Sequence, residues 1–521
     1  MYSLTEKEMT NRLEIVENLS KEISEFNCLN FVNTLPSDNE LLLLGECTHG
    51  THEFYKIRSE ITKHLILNKG YKFILIEAEW PCVFELNKFI NGKTNMYSSI
   101  EELLDKNFNK FPVWMWNNSI IADLISWLKE YNDKELNVKQ KVNIFGIDCQ
   151  QFIESYRFLD SFLEKYDKDF QTKLRKNAGI LTQFNTEHHY ANEVVNGCMR
   201  QYINYIPAMM QELLSTYQWE HVDKLIKNNI DDFEKLIDII ASEQNMEIIV
   251  NGEEYFRKML TEPKGSQASW NTRDQHMLVT IMRIRNRFEE ITQEVPKILL
   301  WAHNSHIGNS NATTRGGKTF TENNTWNLGQ MTKEMFPKSF SIGFYTNKGT
   351  VKAGKGNNET AIQTINSANI YSYEYIFSVL CQKYNRKEFL LDLRNFKTKR
   401  RLIVNENTIL NEKIPGTYRC LYSGKIFHAI NRIIENNYIK LVDDSGKTYI
   451  EYCKFTNINR RCIPVDYLLP ENSTDYLNTM QLQRWIGVNY IKSSELDSHY
   501  GESCITEQYD SIGFVENTSH I

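Results

Sequence analysis

Between Gly45 and Arg58 the chain carries Glu46, Thr48, His49, Thr51 and His52, so that a carboxylate precedes a histidine by three residues and an arginine follows in the next helical pattern. A histidine beside a carboxylate is suited to taking a proton from water, because the hydrogen-bonded carboxylate fixes the ring tautomer and stabilises the imidazolium that forms. Water would be the nucleophile, and such a base contributes about 10²–10⁴ in rate. More groups of the same kind close later apolar runs: Glu77 in FILIEAEWP, Asp148 in KVNIFGID, and His303 and His306 in KILLWAHNSHIGN. Arg58 shares a helix face with Phe54, Ile61 and Leu65. An inward guanidinium needs a carboxylate or a ligand anion, and Glu46 is the nearest carboxylate in sequence.

Other chemistries compete with this one. Glu46 and Arg58 can equally form a structural ion pair while the histidines fill a polar loop. His49/His52 and His303/His306 each have HxxH spacing, which would suit a metal on a helix, but both pairs begin in turns after strands, where spacing says less. No GxSxG elbow exposes a serine, and Cys47 reads as a side chain packed into the sheet. Gly317-Lys318-Thr319 and Gly446-Lys447-Thr448 imitate the end of a phosphate loop, yet Ala312 and Leu441 stand where its first glycine must be. His188, His189 and His221 lack ligand spacing and read as surface or packing residues.

The elements that must position these groups follow from the hydrophobic pattern. Leu41 to Leu44 form a short continuous apolar run ending in Gly45, which suits a strand buried on both faces of a parallel sheet. Its polar residues then lie beyond the carboxyl end, where open α/β sheets place ligands. Asn68-Lys69-Gly70 reads as a helix stop, a second strand ends around Glu77, a helix runs from Ile120, and a third strand ends at Asp148, giving βαβα alternation. From about 151 to 287 the pattern is helical with no convincing strand, which fits an inserted subdomain better than a loop of that length. Strands return at KILLWAHNSHIGN, SFSIGFYT, FLLDLR and YDSIGFVE. Leu13, Val16, Leu19 and Ile23 predict an opening amphipathic helix packed on the sheet.

The fold class read from this is α/β: a central, mainly parallel sheet flanked by helices, with an inserted helical subdomain. Residues 1–150 form the first part of the core, 151–290 the helical insertion or lid, 291–399 the second part of the core, and 476–521 its C-terminal part. Residues 400–475, which include a hairpin signal around NYIKLVDD and KTYIEYC, form a small insertion of unknown role.

At 521 residues the chain is too long for one minimal core. Its net charge of -6, from 66 acidic and 60 basic residues, supplies no global field for nucleic acid or anionic lipid. Its 10 cysteines contain no CxxC pair, so neither a disulfide scaffold nor a zinc ribbon is implied. No secretory signal or spanning apolar run is evident, and a cytoplasmic location is the expectation.

GECTHGTHEF with Arg58 after it, ILIEAEWP, VWMWNNSIIADLISWLKEYN, FGIDCQ, TRDQHM, WAHNSHIGN and QRWIGVNY…SHYGESCITEQYDSIGFVENT together resemble the erythromycin esterase family, in the family's order. The resemblance implies a metal-independent, cofactor-free hydrolase that opens a macrolide lactone or related ester with histidine-activated water, an antibiotic-resistance activity. Carried over, the site comprises Glu46, His49, Arg58, Glu77, His303 and His306. His49 would be the base, oriented by Glu46 or Glu77, while Arg58, His303 and His306 would bind the ester or the oxyanion. Arg273 and Asp274 match a family pattern too, though an ion pair in the helical region explains them equally well. Trp80, Trp114 and Trp116 would line a cleft or simply pack. The stretch between Arg394 and Gln483 departs from the family. A metal-dependent hydrolase and a non-catalytic small-molecule binder remain the alternatives.

Overall fold

In the computed structural model, residues 6–521 are described apart from 198, 201–204, 218–220, 230–231, 263–266, 316–317, 320–323, 357–358, 398–415, 421–425, 434–437, 444–447, 453–461 and 465–472. Both phosphate-loop imitations, at Gly317 and at Gly446-Lys447, fall at least partly outside the described residues, as does most of the 400–475 insertion.

The four leucines of β1 (Leu41–Leu44) are all buried, each contributing about 1.5–3 kcal/mol through lost apolar exposure. The chain then turns into α1 (His52–Lys69), which ends at Gly70 in the left-handed conformation (φ 70°) that glycine adopts without steric cost. It continues through β2 (Phe73–Glu79), α2 (Trp80–Ile90) and α3 (Ser119–Lys134), the last begun by the Asn118 side chain accepting from the Ile121 N–H at 3.0 Å. β3 (Asn143–Asp148) follows. Beyond it, residues 152–292 hold only helices among the described residues, of which the longest are α4 (Phe233–Thr261) and α5 (Ala268–Thr292). β4 (Ile298–Trp301) and the one-turn α6 (Asn304–Ile307) come next.

These four strands are parallel in the order β1-β4-β2-β3. Register puts Leu44 and Ile76 both opposite Trp301, so the residues after each strand emerge along one edge. Between β2 and β3 the register shifts: Ile76 faces Gly146, but Glu79 already faces Asp148. This bulge twists β2 at Glu77 and re-aims that side chain. It also demands glycine on the partner strand, because a Cβ on Gly146 would lie 2.4 Å from the Ala78 carbonyl oxygen.

All of these elements belong to one compact unit, 27–307 with 325–341 and Ile521; the other contains 1–26, 308–324 and 342–520. In that second unit the strand Ser511–Thr518 pairs in parallel with the strand Ser339–Gly354 from Ile342 onward, and antiparallel with Glu388–Asp392, which in turn pairs with Ile23–Ser24. A separate five-stranded antiparallel sheet spans Gly416 to Pro464, and includes the hairpin partners Tyr438–Asp443 and Thr448–Tyr452. The opening helix, Glu6–Leu19, differs from expectation: Leu13 is exposed, and Ile15, Val16 and Leu19 are buried where the helix meets helices Tyr373–Lys383 and Ser473–Leu477 rather than the sheet. Ile23 has left the helix for a strand. The architecture is α/β with a mainly parallel sheet and many flanking helices.

Candidate active site

The turn after β1 folds Glu46 back between two partners. Its Oε1 accepts from His49 Nδ1 at 2.9 Å, and its Oε2 accepts from Arg58 Nη2 at 2.7 Å. The carboxylate therefore fixes the proton of His49 on Nδ1 and leaves Nε2, which has no hydrogen bond among the described residues, as the basic lone pair. Glu46, not Glu77, is the carboxylate that orients His49. Arg58 lies behind this pair with no solvent exposure, its Cζ 4.6 Å from the Tyr55 ring centroid and 4.8 Å from that of Trp301. Trp301 is anchored in turn by its indole N–H to Thr62 Oγ1 at 3.1 Å.

Glu77, re-aimed by the bulge, organises the other half. Its Oε2 accepts the backbone N–H of His303 at 2.8 Å, and its Oε1 lies 2.9 Å from Arg273 Nη2 and 3.2 Å from His306 Nε2. His306 also meets Asp274 Oδ1 through Nδ1 at 2.8 Å and stacks flat on Trp270, ring centroids 4.4 Å apart. Asp274 is held by the Leu328 N–H at 2.9 Å. Arg273 clasps Asp148, with Nε 3.0 Å from both oxygens and Nη2 2.5 Å from Oδ2.

His303 connects the two halves, its ring centroid 4.7 Å from that of His49. Its Nδ1 faces both the Ser305 N–H at 3.2 Å and the Ser305 hydroxyl at 2.8 Å, which places its own proton on Nε2. Burial, and then the charge that His49 can carry, hold its pKa well below the ordinary histidine value, so the ring is neutral.

For Glu77, burial pushes the carboxyl up, but His306 and Arg273 pull it further the other way, well below the usual range. For His306, burial alone would lower the pKa; Asp274 and Glu77 overcome it and raise the value to about 9. His306 is therefore an imidazolium whose Nε2 turns to Glu77 Oε1, and Arg273 Nη1 lies 3.0 Å from the same nitrogen. Glu79, beside the same bulge, is raised well above the carboxylate range by burial and then by Asp148.

The raised value of His306 has a measurable consequence. A group whose pKa is higher folded than unfolded stabilises fully below its unfolded value, here near 6.5, and that contribution disappears as pH rises through about 9. The expected loss across this window is about 3 kcal/mol, at about 1.4 kcal/mol per pH unit. Urea unfolding across that window checks it: His306→Asn should remove the slope, and an equal slope in both proteins would refute the assignment.

All six residues expected at the site meet in it, together with Asp148. Arg58 is fully enclosed by Glu46 and two aromatic rings. His306 has both nitrogens engaged by carboxylates, and His303 is a buried neutral ring beside His49. Of the HxxH pairs, His52 heads α1 outside these contacts, and among the described residues no three His, Cys, Asp or Glu side chains are arranged to hold a metal ion. Cys47 is fully buried. Trp80 packs in the core against Phe145, their ring centroids 5.0 Å apart, and Trp116 meets Tyr55. His188 and His189 pack on Phe256 and Phe184, and His221 pairs with Asp167. Sequence reasoning left out Trp270, Arg273 and Asp274. Their signal was present: positions i, i+3 and i+4 of one helix share a face.

A parallel sheet whose carboxyl edge gathers a carboxylate-held histidine and a buried charge network defines an α/β protein with a polar site at that edge. The model of the erythromycin esterase family matches residues 66–518, and the chain belongs to that family. Its coarse chemistry is accordingly that of a hydrolase. The matched range starts after Glu46, His49 and Arg58, which stand on the geometry alone. YbfO of Bacillus subtilis (strain 168), provisionally named a hydrolase, is 22% identical over 341 residues, covering 62% of this chain and 68% of its own. Two solved structures share the fold. A Bacillus cereus protein has a TM-score of 0.63 at 16% identity, with 98% of each chain covered. A mutant of the erythromycin esterase EreC in its open conformation has a TM-score of 0.57 at 12% identity, with 95% of each covered.

Proposed function

We propose that this protein hydrolyses a carboxylic ester, of which a macrolide lactone is the first choice, by attack of a water molecule that His49 deprotonates. The observation that carries the reading is the bridge made by Glu46, which fixes His49 from one oxygen and is itself fixed by Arg58 from the other. That arrangement leaves Nε2 as a base of defined direction and stabilises the imidazolium once it forms.

In this reaction a water proton passes to His49 Nε2 as the water oxygen bonds to the ester carbonyl carbon. The electron pair of the C=O moves onto oxygen, giving a tetrahedral oxyanion. Its collapse breaks the C–O bond of the ester, and the departing alkoxide takes the proton back from Nε2. The neutral ring of His303 beside the base matters here, because a second imidazolium at that separation would oppose proton uptake by His49. From a lactone the acid and alcohol remain in one molecule that is one water heavier.

The test is incubation of chelator-treated, desalted protein with macrolide lactones and simple esters, followed by mass spectrometry. A product one water heavier without added metal supports the reading. Turnover that appears only when a metal is returned would replace it with a metal-dependent mechanism, and binding without turnover of any member would make the protein a small-molecule binder.

A further inference from the structure

We infer that Arg273 is the cation that meets the ester carbonyl oxygen, an inference that rests on the hydrolytic reading above. A guanidinium carries five N–H donors. In Arg273 the Nε and Nη2 donors are committed to Asp148 and Glu77, at 2.5–3.0 Å. Nη1 meets no oxygen acceptor among the described residues; its one contact is His306 Nε2 at 3.0 Å, itself turned toward Glu77.

Exposure separates Arg273 from the other cations of the site. The side chain of Arg58 is 0% exposed and that of His306 3%, whereas that of Arg273 is 15% exposed. Asp148 and Glu77 clamp the guanidinium through Nε and Nη2, so the Nη1 group, which lies against His306 Nε2, is held in direction before any substrate arrives. Such preorganised donors stabilise charge that develops during reaction more effectively than mobile ones. Arg273 also lies one short chain of contacts from the base: Glu77 links it to the His303 backbone, and the His303 ring lies against His49. As water adds, the electron pair arriving on the carbonyl oxygen is met by an Nη1–H, with no proton transferred; as the intermediate collapses, the pair returns to the C=O bond. Asp148, Glu77 and the stacking of Trp270 on His306 hold this group in place.

The test uses the full chain and a fast ester found with the wild type. Arg273→Lys keeps the positive charge that Glu77 and Asp148 need but loses the planar second donor edge, and is expected to lower kcat about 10²–10³-fold with KM nearly unchanged. Arg273→Ala is expected to regain part of its kcat when methylguanidinium is added. Circular dichroism and thermal melting establish that each variant is folded. A folded Arg273→Lys with wild-type kcat, a loss confined to KM, or an Arg273→Ala variant that methylguanidinium does not rescue would each overturn the inference. A wild type that hydrolyses no ester would instead bring down the hydrolytic reading itself.

Discussion

Replacing His49 with alanine is expected to lower kcat for ester hydrolysis by about 10²–10⁴, the usual contribution of a positioned general base. Stability should change little by comparison, since His49 lies at the end of the Arg58–Glu46 chain and its removal leaves the Glu46 carboxylate still paired. The comparison is made by steady-state kinetics on the fastest ester, with urea unfolding of the same preparations. His49→Gln sharpens it, because the amide N–H can donate to the Glu46 carboxylate but the amide cannot take a proton from water at neutral pH. Full activity in either folded variant would remove His49 as the base.

The second large effect is on stability. Arg58→Ala leaves the Glu46 carboxylate buried with no cation, and breaking a buried pair by removing one partner costs about 3–5 kcal/mol. The aromatic faces of Tyr55 and Trp301, which flank the guanidinium, are left around a cavity, adding to the loss. The double variant Arg58→Met with Glu46→Gln removes both charges and fills most of the space, so it should recover much of the stability. It should not recover activity, because the amide no longer stabilises an imidazolium at His49. A destabilisation below 1 kcal/mol for Arg58→Ala would show that Glu46 is not charged in the folded protein, and the orientation argument would lose its basis.

Local spacing made the first half of the site legible. Glu46, His49 and Arg58 lie within one strand–turn–helix unit, so the turn and the helix period alone bring them together. The strand ends were legible for a related reason: short apolar runs followed by polar residues mark the carboxyl edge of a parallel sheet. The choice between Glu46 and Glu77 was not, because it turns on a bulge at the end of β2 that no periodicity reveals. Arg273 and Asp274 were visible as a pattern but not as site residues, since they sit within a long helix and meet Asp148 and His306 only through the tertiary fold. Likewise Arg58 read correctly as an inward cation, but whether it faced a ligand or a carboxylate depended on which rings closed over it. The opening helix shows the opposite error: its apolar repeat was real, but Leu13 lies on the solvent side and the helix rests on other helices.

The most direct measurement is a single turnover of the fastest ester or lactone in ¹⁸O-labelled water, with protein in excess and His49→Ala in parallel. The account predicts one labelled oxygen in the carboxylate of the wild-type product, no ester-derived adduct on the protein at any time, and almost no product from the variant. An acyl adduct on the wild-type protein, or product formed equally fast without His49, would contradict it.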